Sequence, residues 1–358
     1  MVSLLSNSID RLVATRAEFA IYKNKFEEQV HIILPDAPSF PYTHLSELVG
    51  HKCFAMSPFN DSERLRGVAM DYRKEINLAQ LGRLLDGGRL TGHAVEHQCL
   101  ISADDSPARY DQAYAAFSAA LEEGRAEKLV LASMHRHPIT RSLGDIFFNA
   151  CRRYPHAFVY LLYTAASGMW FGATPELLCT IKRDELTTMA LAGTQPVRED
   201  GCYDWDQKNS KEQNIVAEYL RTQLSGYCDT VILEGPYTQI AGPVAHLRTD
   251  LKCVLKPGLM DNIVRVLHPT PAVCGMPKNQ ALDFILSHEN LDRMYYTGFL
   301  GTVDSLARKS ALYVNLRSMY IHDGQAYMFA GSGLLRQSDI VQEKAEVQIK
   351  LETLKSLL

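Results

Sequence analysis

Charged residues stand at several positions where the helical or strand pattern would place apolar ones. The last predicted helix begins at Asp339, which can cap it, and Gln342 stands three residues on to complete a capping box. At about 100° per residue, its apolar stripe consists of Val347, Leu351, Leu354 and Leu358. Glu343, Glu346 and Lys350 lie beside this stripe. Because charged groups are almost never fully buried without a partner, the helix is predicted to offer two carboxylates and an amine to other charges.

Four more charges depart from the apolar pattern in the same way. Glu212 shares the inward face of a predicted helix over residues 208–224 with apolar residues four and seven positions later. Lys128 begins an apolar strand, Glu176 follows a strand and a proline turn, and Arg317 closely follows two apolar strand residues. Singly, each has an ordinary explanation: a snorkelling lysine, a glutamate favoured by a helix dipole, an arginine paired with a structural carboxylate. Together, these inward charges favour a functional site.

The residue types define the chemistry that such a site could perform. Glutamates on helices offer hard oxygen ligands to a Mg²⁺ ion that keeps waters and a substrate carboxylate. An arginine and a lysine suit an anionic substrate, the arginine through its bidentate fork. A separate lysine and glutamate can act as base and acid if burial shifts their pKa values towards neutrality. The residues therefore predict a Mg²⁺-dependent enzyme that moves protons on a small polycarboxylate.

A second metal site was considered at His93 and His97. Their spacing of four residues suits two ligands on one helical face, but the segment has no HExxH pattern and no third ligand is evident. An ordinary structural role is favoured there.

Composition limits the class of protein. The 358 residues are 46% hydrophobic and 22% charged, with a net charge of −4, which gives no reason to expect nucleic-acid binding. The eight cysteines include no CxxC pair, which speaks against zinc sites and a disulfide framework and fits a reducing cytoplasm. No apolar stretch approaches the roughly 18 residues of a membrane span. A soluble, cytoplasmic protein is predicted, with no membrane partner.

The order of the elements predicts the fold class. Strict strand–helix alternation is absent, and so are GxGxxG and GxxxxGK[ST] loops, which argues against a nucleotide-binding parallel sheet. The pattern favours an α+β fold with large antiparallel sheets. A first helix is predicted over residues 3–22 and a continuous strand over 311–321. The character of the sequence changes near residue 105, so residues 1–100 are assigned to a variable N-terminal part and 101–358 to a catalytic core.

Nine ordered motifs carry a resemblance to a known family. They are Lys128-Leu-Val-Leu, Gly172-Ala-Thr-Pro-Glu-Leu-Leu, Ala190-Leu-Ala-Gly-Thr194, Lys211-Glu-Gln, His246-Leu-Arg-Thr-Asp, Leu267-His-Pro-Thr-Pro-Ala-Val-Cys-Gly, Asp292-Arg293, Ala330-Gly-Ser-Gly and Glu343-Lys-Ala-Glu346 with Lys350. The chain resembles the chorismate-utilising enzymes, which include isochorismate, salicylate, anthranilate and aminodeoxychorismate synthases. The resemblance covers residues 105–358 and implies antiparallel sheets packed face to face and flanked by helices.

The resemblance also implies a role for each site residue. Glu212 and Glu346 look like Mg²⁺ ligands, with Glu343 binding through metal waters, and the ion would hold the ring carboxylate of chorismate. The residues that look like substrate-binding groups are Gly193, Thr194, Ala272, Arg317, Gly331, Gly333 and Lys350. Lys128 resembles the base that activates water to attack C2 of the ring, and Glu176 resembles the acid that protonates the departing C4 hydroxyl. His246 stands where the family has a histidine near the reacting ring, so it joins the predicted catalytic set.

Within this family, isochorismate synthase is the favoured member. Lys128 favours water as the nucleophile, because the ammonia-using relatives carry a different residue there, and no glutaminase subunit is therefore expected. The Ala190–Thr194 motif lacks the lysine of aminodeoxychorismate synthase, and Pro271-Ala-Val-Cys-Gly looks like isochorismate synthases. Gln213, Ser133 and Cys274 depart from the usual family residues, which concerns rate and fine specificity more than reaction class.

Two other functions stay open. A salicylate synthase would go on to eliminate pyruvate, and a catalytically idle homologue would act as a binding subunit. The sequence alone does not decide whether isochorismate would feed menaquinone or siderophore synthesis, nor the oligomeric state.

Overall fold

Strands contribute more residues than helices to the described chain, as its many short apolar segments suggest. The computed structural model describes residues 2–60, 65–88, 90, 101, 106–256 and 260–358. The α-helices in these residues are α1 (Val2–Thr15), α2 (Leu78–Asp86), α3 (Pro107–Glu122), α4 (Leu143–Arg153), α5 (Gln207–Ser225), α6 (Met260–Leu267), α7 (Lys278–His288) and α8 (Ile340–Lys355). The strands are β1 (Phe19–Lys23), β2 (His31–Ile33), β3 (Phe40–Tyr42), β4 (Lys52–Ser57), β5 (Gly67–Asp71), β6 (Lys128–Pro138), β7 (Phe158–Thr164), β8 (Gly168–Thr174), β9 (Leu177–Lys182), β10 (Glu185–Pro196), β11 (Cys228–Ala241), β12 (Val244–Leu255), β13 (Gly275–Met276), β14 (Phe299–Asp304), β15 (Lys309–Val314), β16 (Ser318–His322) and β17 (Gln325–Leu334). A 3-10 helix spans Leu45–Leu48.

The strands form two large sheets. One has the order β13-β6-β17-β16-β8-β7-β1-β2, and the other has the order β11-β12-β10-β9-β15-β14-β4-β5-β3. Within the described residues, all neighbouring strands of both sheets pair antiparallel. The predicted α+β class with large antiparallel sheets is confirmed.

The two sheets pack face to face. Phe158 of β7 stacks on Tyr313 of β15, in the other sheet, with ring centroids 4.1 Å apart. Both rings belong to a buried cluster with members from both sheets, including Trp170 and Leu300. A second cluster covers the outer face of the first sheet with α1, α3, α4, α7 and α8. A third covers the outer face of the second sheet with α5 and α6. The sheets are thus flanked by helices, as predicted.

The closing helix α8 has the predicted orientation. Its stripe of Val347, Leu351, Leu354 and Leu358 is buried. The Asp339 carboxylate accepts hydrogen bonds from the backbone N–H groups of Val341 and Gln342, which caps the first turn. Glu343 is buried beside the stripe, and Glu346 and Lys350 are partly buried.

The predicted helix over residues 3–22 is wrong in its second half. Helix α1 ends at Thr15, and Arg16 adopts a left-handed conformation with φ 55°. The segment Phe19–Lys23 is instead β1, buried at every position and paired between β7 and β2. Aromatic and β-branched side chains suit this doubly buried strand, and tertiary pairing overrides the weak helical pattern.

The predicted strand over residues 311–321 is also wrong, because it is broken at Arg317. Strand β15 ends at Val314 and β16 begins at Ser318, and the two lie in different sheets. Between them the backbone of Arg317 has φ 48°, a conformation that residues other than glycine rarely adopt. The chain therefore passes from one sheet to the other at a predicted substrate-binding residue.

The N-terminal hundred residues supply strands to both sheets. β1 pairs with β7 in one sheet, and β4 pairs with β14 in the other. The described part of residues 1–100 therefore shares its core with the rest of the chain.

Further sequence predictions concern membrane spans, disulfides and the His93–His97 pair. No helix in the described part of the chain has both the length and the hydropathy to cross a membrane. The seven cysteines that the structure describes all carry free thiols. The candidate pair His93 and His97 lies outside the described residues.

Candidate active site

A pocket gathers most of the predicted site residues. It has about 500 Å³ of empty space, open mouth included. Ten of the thirteen predicted residues line it: Glu176, Gly193, Thr194, Glu212, His246, Ala272, Arg317, Gly331, Gly333 and Lys350. The other three, Lys128, Glu343 and Glu346, lie outside this lining. Residues from both sheets, α5 and α8 thus meet at one pocket.

Two cations, Arg317 and Lys350, line the pocket. Arg317 is buried and donates hydrogen bonds to Thr353 Oγ1 at 3.1 Å and to the Lys350 carbonyl oxygen at 3.4 Å. Among the described residues, no carboxylate lies within ion-pair distance of its guanidinium, and burial lowers its pKa to about 10. Lys350 Nζ donates to the Gly331 carbonyl oxygen at 2.8 Å and to Glu346 Oε1 at 2.6 Å. A buried guanidinium without a counter-charge favours an anionic ligand.

Glu176 has the properties of a general acid. Its side chain is almost fully buried, and its Oε1 has no hydrogen-bond partner among the described residues. Burial raises the pKa of Glu176 to about 8, although Lys128 and other nearby cations act to lower it. At neutral pH this carboxyl group therefore holds a proton that it can give to a leaving group.

Lys128 and Glu212 form an ion pair beside Gly333. Lys128 is fully buried, and its Nζ lies 2.9 Å from Glu212 Oε1. Among the described residues Lys128 Nζ has no hydrogen-bond partner besides this contact. Burial acts to raise the pKa of Glu212, but the charge of Lys128 leads the interactions that bring it below the usual value. A Cβ at Gly333 would collide with both side chains, so a larger residue here would displace the Glu212 carboxylate and the end of Lys128.

The three predicted metal ligands each pair with a lysine. Besides the Lys128–Glu212 pair, Lys208 Nζ donates to Glu343 Oε1 at 2.5 Å, and Lys350 pairs with Glu346. Burial and the nearby Glu346 raise the pKa of Glu343. Among the described residues, no three His, Cys, Asp or Glu side chains are already arranged to hold a metal ion.

The donor set nevertheless suits Mg²⁺. All three side chains are carboxylates, the ligands that this ion prefers. Glu343 Oε2 is buried and pairs with no cation among the described residues, so it is available to a cation or to a water bound to one. The three lysines compensate the acidic charge in the structure, and a bound divalent ion would compete with them for the same oxygens.

His246 lies next to Arg317 and is neutral. Its Nδ1 lies 2.9 Å from the carbonyl oxygen of Gly193, which fixes the proton on Nδ1. Its Nε2 then accepts a hydrogen bond from Arg317 NH2 at 3.2 Å. Burial, together with Arg317 and Lys350, holds the pKa of His246 well below its usual range. With this geometry His246 can orient the guanidinium of Arg317. A catalytic role of His246 stays a prediction.

Backbone geometry explains the glycines of the pocket wall. Gly193 has φ 74° at a bulge of β10, where Thr194 N donates to Asn209 Oδ1 at 2.8 Å. Gly331 is in β17 opposite Ala132, and its carbonyl oxygen accepts a hydrogen bond from Lys350 Nζ. These positions bring the backbone close to the pocket, as glycine permits.

Comparison with known proteins gives the family. The sequence profile described as "Chorismate binding enzyme" matches residues 71–358, which is most of the chain. The chain belongs to the chorismate-binding enzyme family. This match begins before residue 101, so the family pattern extends into the N-terminal part.

Relatives within this family are named as isochorismate synthases. The chain is 34% identical over 252 residues to the salicylate biosynthesis isochorismate synthase of Pseudomonas aeruginosa, covering 66% of this chain and 52% of that protein. It is 29% identical over 253 residues to isochorismate synthase MenF of Pasteurella multocida, covering 66% and 58%. The matched part thus spans little more than half the length of these relatives.

Solved structures of other proteins share the fold. The menaquinone-specific isochorismate synthase MenF of Escherichia coli aligns with a TM-score of 0.78 and 20% identity over 98% of this chain and 91% of that one. Anthranilate synthase component I of Streptococcus pneumoniae aligns with a TM-score of 0.69 and 19% identity, over 94% and 92%. At these identities the likeness establishes the architecture.

Several residues beside the pocket were not predicted from the sequence. Lys208 pairs with Glu343, and its position one turn before Glu212 on the same helical face could have revealed it. Asn209 holds the Gly193 bulge, and Lys25 contacts the residue before Glu176. No sequence signal marks Lys25, because it reaches the site from a loop between β1 and β2.

Proposed function

We propose that this protein is a Mg²⁺-dependent isochorismate synthase that converts chorismate to isochorismate. One observation carries the proposal. Two buried groups, Lys128 and the protonated Glu176, lie at a pocket whose Arg317 lacks a counter-anion. The addition of water to an anionic ring requires a base, and the loss of a hydroxyl group from it requires an acid. A cation without a counter-charge can bind the anionic ring. The family membership and the relatives' names support the same substrate.

The chain's own residues account for binding. Arg317 and Lys350 take substrate carboxylates, and His246 holds the Arg317 guanidinium in place. Mg²⁺, held by Glu212 and Glu346 and by Glu343 through water, would offset the charge of the ring carboxylate. The backbone of Gly331 and Gly333 lets the substrate approach β17 closely.

Proton transfer is divided between two side chains. Lys128 is the proposed base, which removes a proton from water as the water oxygen bonds to C2. The ring double bonds shift, the C4–O bond breaks, and Glu176 gives its proton to the departing hydroxyl. One water enters and one leaves, so the product is an isomer of the substrate.

Product analysis from chorismate tests the proposal. With Mg²⁺ the purified protein should form isochorismate, detected by chromatography and mass spectrometry, and none should form with a chelator. Salicylate fluorescence without an added lyase would instead indicate a salicylate synthase. Chorismate binding without turnover would indicate a catalytically idle homologue.

Lys128→Ala tests the base. Isochorismate formation should be lost while circular dichroism shows an intact fold. The matched control is Lys252→Ala on β12, because Lys252 is an exposed strand lysine that also pairs with a glutamate, Glu234. An unchanged rate in Lys128→Ala would refute the assignment of the base.

A further inference from the structure

Strand β6, which begins at Lys128, is paired with another strand along one whole edge but only at the start of the other edge. On one side β17 pairs with it from Leu129 to Pro138. On the other side β13 pairs only with Lys128 and Leu129. Beyond that point the polar groups of a buried strand need other partners, since an unpaired buried backbone group is costly.

One backbone carbonyl and several buried side chains supply these partners. Val130 N donates to the Cys274 carbonyl oxygen at 2.8 Å. Arg293 NH2 donates to the Val130 carbonyl oxygen at 2.7 Å, and Glu289 Oε1 accepts from Ala132 N at 2.7 Å. Arg109 NH2 donates to the Ala132 carbonyl oxygen at 3.1 Å. The side chains take the place of a missing strand along this edge.

Arg293 and Glu289 are locked together. Arg293 Nε donates to Glu289 Oε2 and NH2 donates to Glu289 Oε1, each at 2.6 Å, with both side chains at most 2% exposed. The guanidinium lies over the ring of Phe59, 4.4 Å from its centroid. Such a fully satisfied pair has one geometry, because the planar guanidinium fork matches both carboxylate oxygens.

The same guanidinium reaches a second wall of the pocket. Arg293 NH1 donates to the Val273 carbonyl oxygen at 2.8 Å, and Val273 follows Ala272, which lines the pocket. Val130, held by NH2, lines it too. One side chain therefore ties the strand of the proposed base to the loop that carries Ala272.

We infer that Arg293 and Glu289 are positioning residues, which hold Lys128 at its working distance from the substrate by fixing β6 to this loop. The inference rests on the proposed function, since it assumes that Lys128 acts on chorismate. Neither residue lines the pocket. Their effect passes through the backbone of Val130, Ala132 and Val273.

Arg293→Lys is the first test. A lysine keeps the charge but cannot bond Val130, Val273 and both Glu289 oxygens in the same geometry. We expect kcat to fall about 10- to 100-fold, the scale of a small misplacement of a reacting group. KM should change less than threefold, because Arg317 and Lys350 lie on other elements. The matched control, Arg221→Lys in the exposed pair with Glu218, should leave both constants unchanged.

The double variant Arg293→Met/Glu289→Met covers the case in which the single variant does not fold. Replacing a whole buried ion pair by apolar residues often preserves stability, whereas removing one partner does not. The double variant should fold, with a melting temperature below that of the wild type because the backbone groups of Val130, Ala132 and Val273 lose their partners, and should still show the low kcat.

Either folded variant with a wild-type kcat would overturn the inference, and so would a loss of activity that only follows the folded fraction. If neither variant folds, the pair serves stability and the inference is rejected. Turnover by the wild type is measured in the same series. If the wild type does not convert chorismate, the proposed function fails, whatever the variants show.

Discussion

Lys25, from the loop between β1 and β2, donates a hydrogen bond from Nζ to the carbonyl oxygen of Pro175, 2.5 Å away. Pro175 immediately precedes Glu176, the proposed acid. The N-terminal part therefore contributes a charge to the site as well as strands to the sheets. Lys25 is one of the cations that lower the pKa of Glu176 against the effect of burial.

The protonation of Glu176 predicts the alkaline limit of activity. With a pKa of about 8, Glu176 is protonated and active below that pH, and the rate should fall as the pH rises through about 8. A kcat profile from pH 6 to 10 checks this. Glu176→Gln should lower kcat by about 10²- to 10⁴-fold and abolish the alkaline limb. A limb that persists in this variant would assign it to another group.

Replacing Lys25 should move that limb. A nearby positive charge favours the carboxylate form, so its removal in Lys25→Met should raise the pKa of Glu176 and shift the limb to higher pH. Lys25→Arg keeps the charge and should leave the limb near its original position. A shift to lower pH in Lys25→Met would contradict the electrostatic role.

The Lys128–Glu212 pair predicts non-additive stability. Lys128→Met leaves a carboxylate without its cation, and Glu212→Gln leaves a fully buried ammonium unpaired. Breaking a buried pair costs about 3–5 kcal/mol, and we expect about 1–3 here because Glu212 keeps some exposure. The variant with both changes should be more stable than the sum of the two predicts. Urea denaturation of the wild type, the two single variants and the double variant measures the coupling free energy. Additive losses of stability would show that the two side chains do not stabilise each other.

Glu346 should be required for Mg²⁺-dependent turnover. Glu346→Gln should abolish Mg²⁺-dependent turnover and weaken Mg²⁺ binding in calorimetry, because a neutral amide is a poorer ligand for this ion. Glu352→Gln, on the exposed face of the same helix, is the control. Turnover by the wild type in a chelator would show that the metal site has been misread.

Lys208 should compete with magnesium. Its ammonium occupies Glu343 Oε1, so Lys208→Met should free that oxygen and tighten Mg²⁺ binding severalfold. Lys355→Met, at the exposed end of α8, should leave the affinity unchanged. Weaker Mg²⁺ binding in Lys208→Met would mean that the lysine supports the site rather than competing for it.

Local periodicity was sufficient to place much of the site. The stripe of α8 showed that Glu343, Glu346 and Lys350 face inward, and the same argument applied to Glu212 in α5. The direction of a side chain on a helix depends on residues within a few turns, so the sequence determines it. The ordered motifs then pointed to the family and to the α+β fold, both now confirmed.

Partners distant in the chain depended on the tertiary structure. Lys128 and Glu212, or Arg293 and Val130, meet only because sheet register and helix docking bring separate segments together. The strand at Phe19–Lys23 and the left-handed turn at Arg317 have the same origin. In each case long-range pairing overrides a local preference, so only the folded chain decides it.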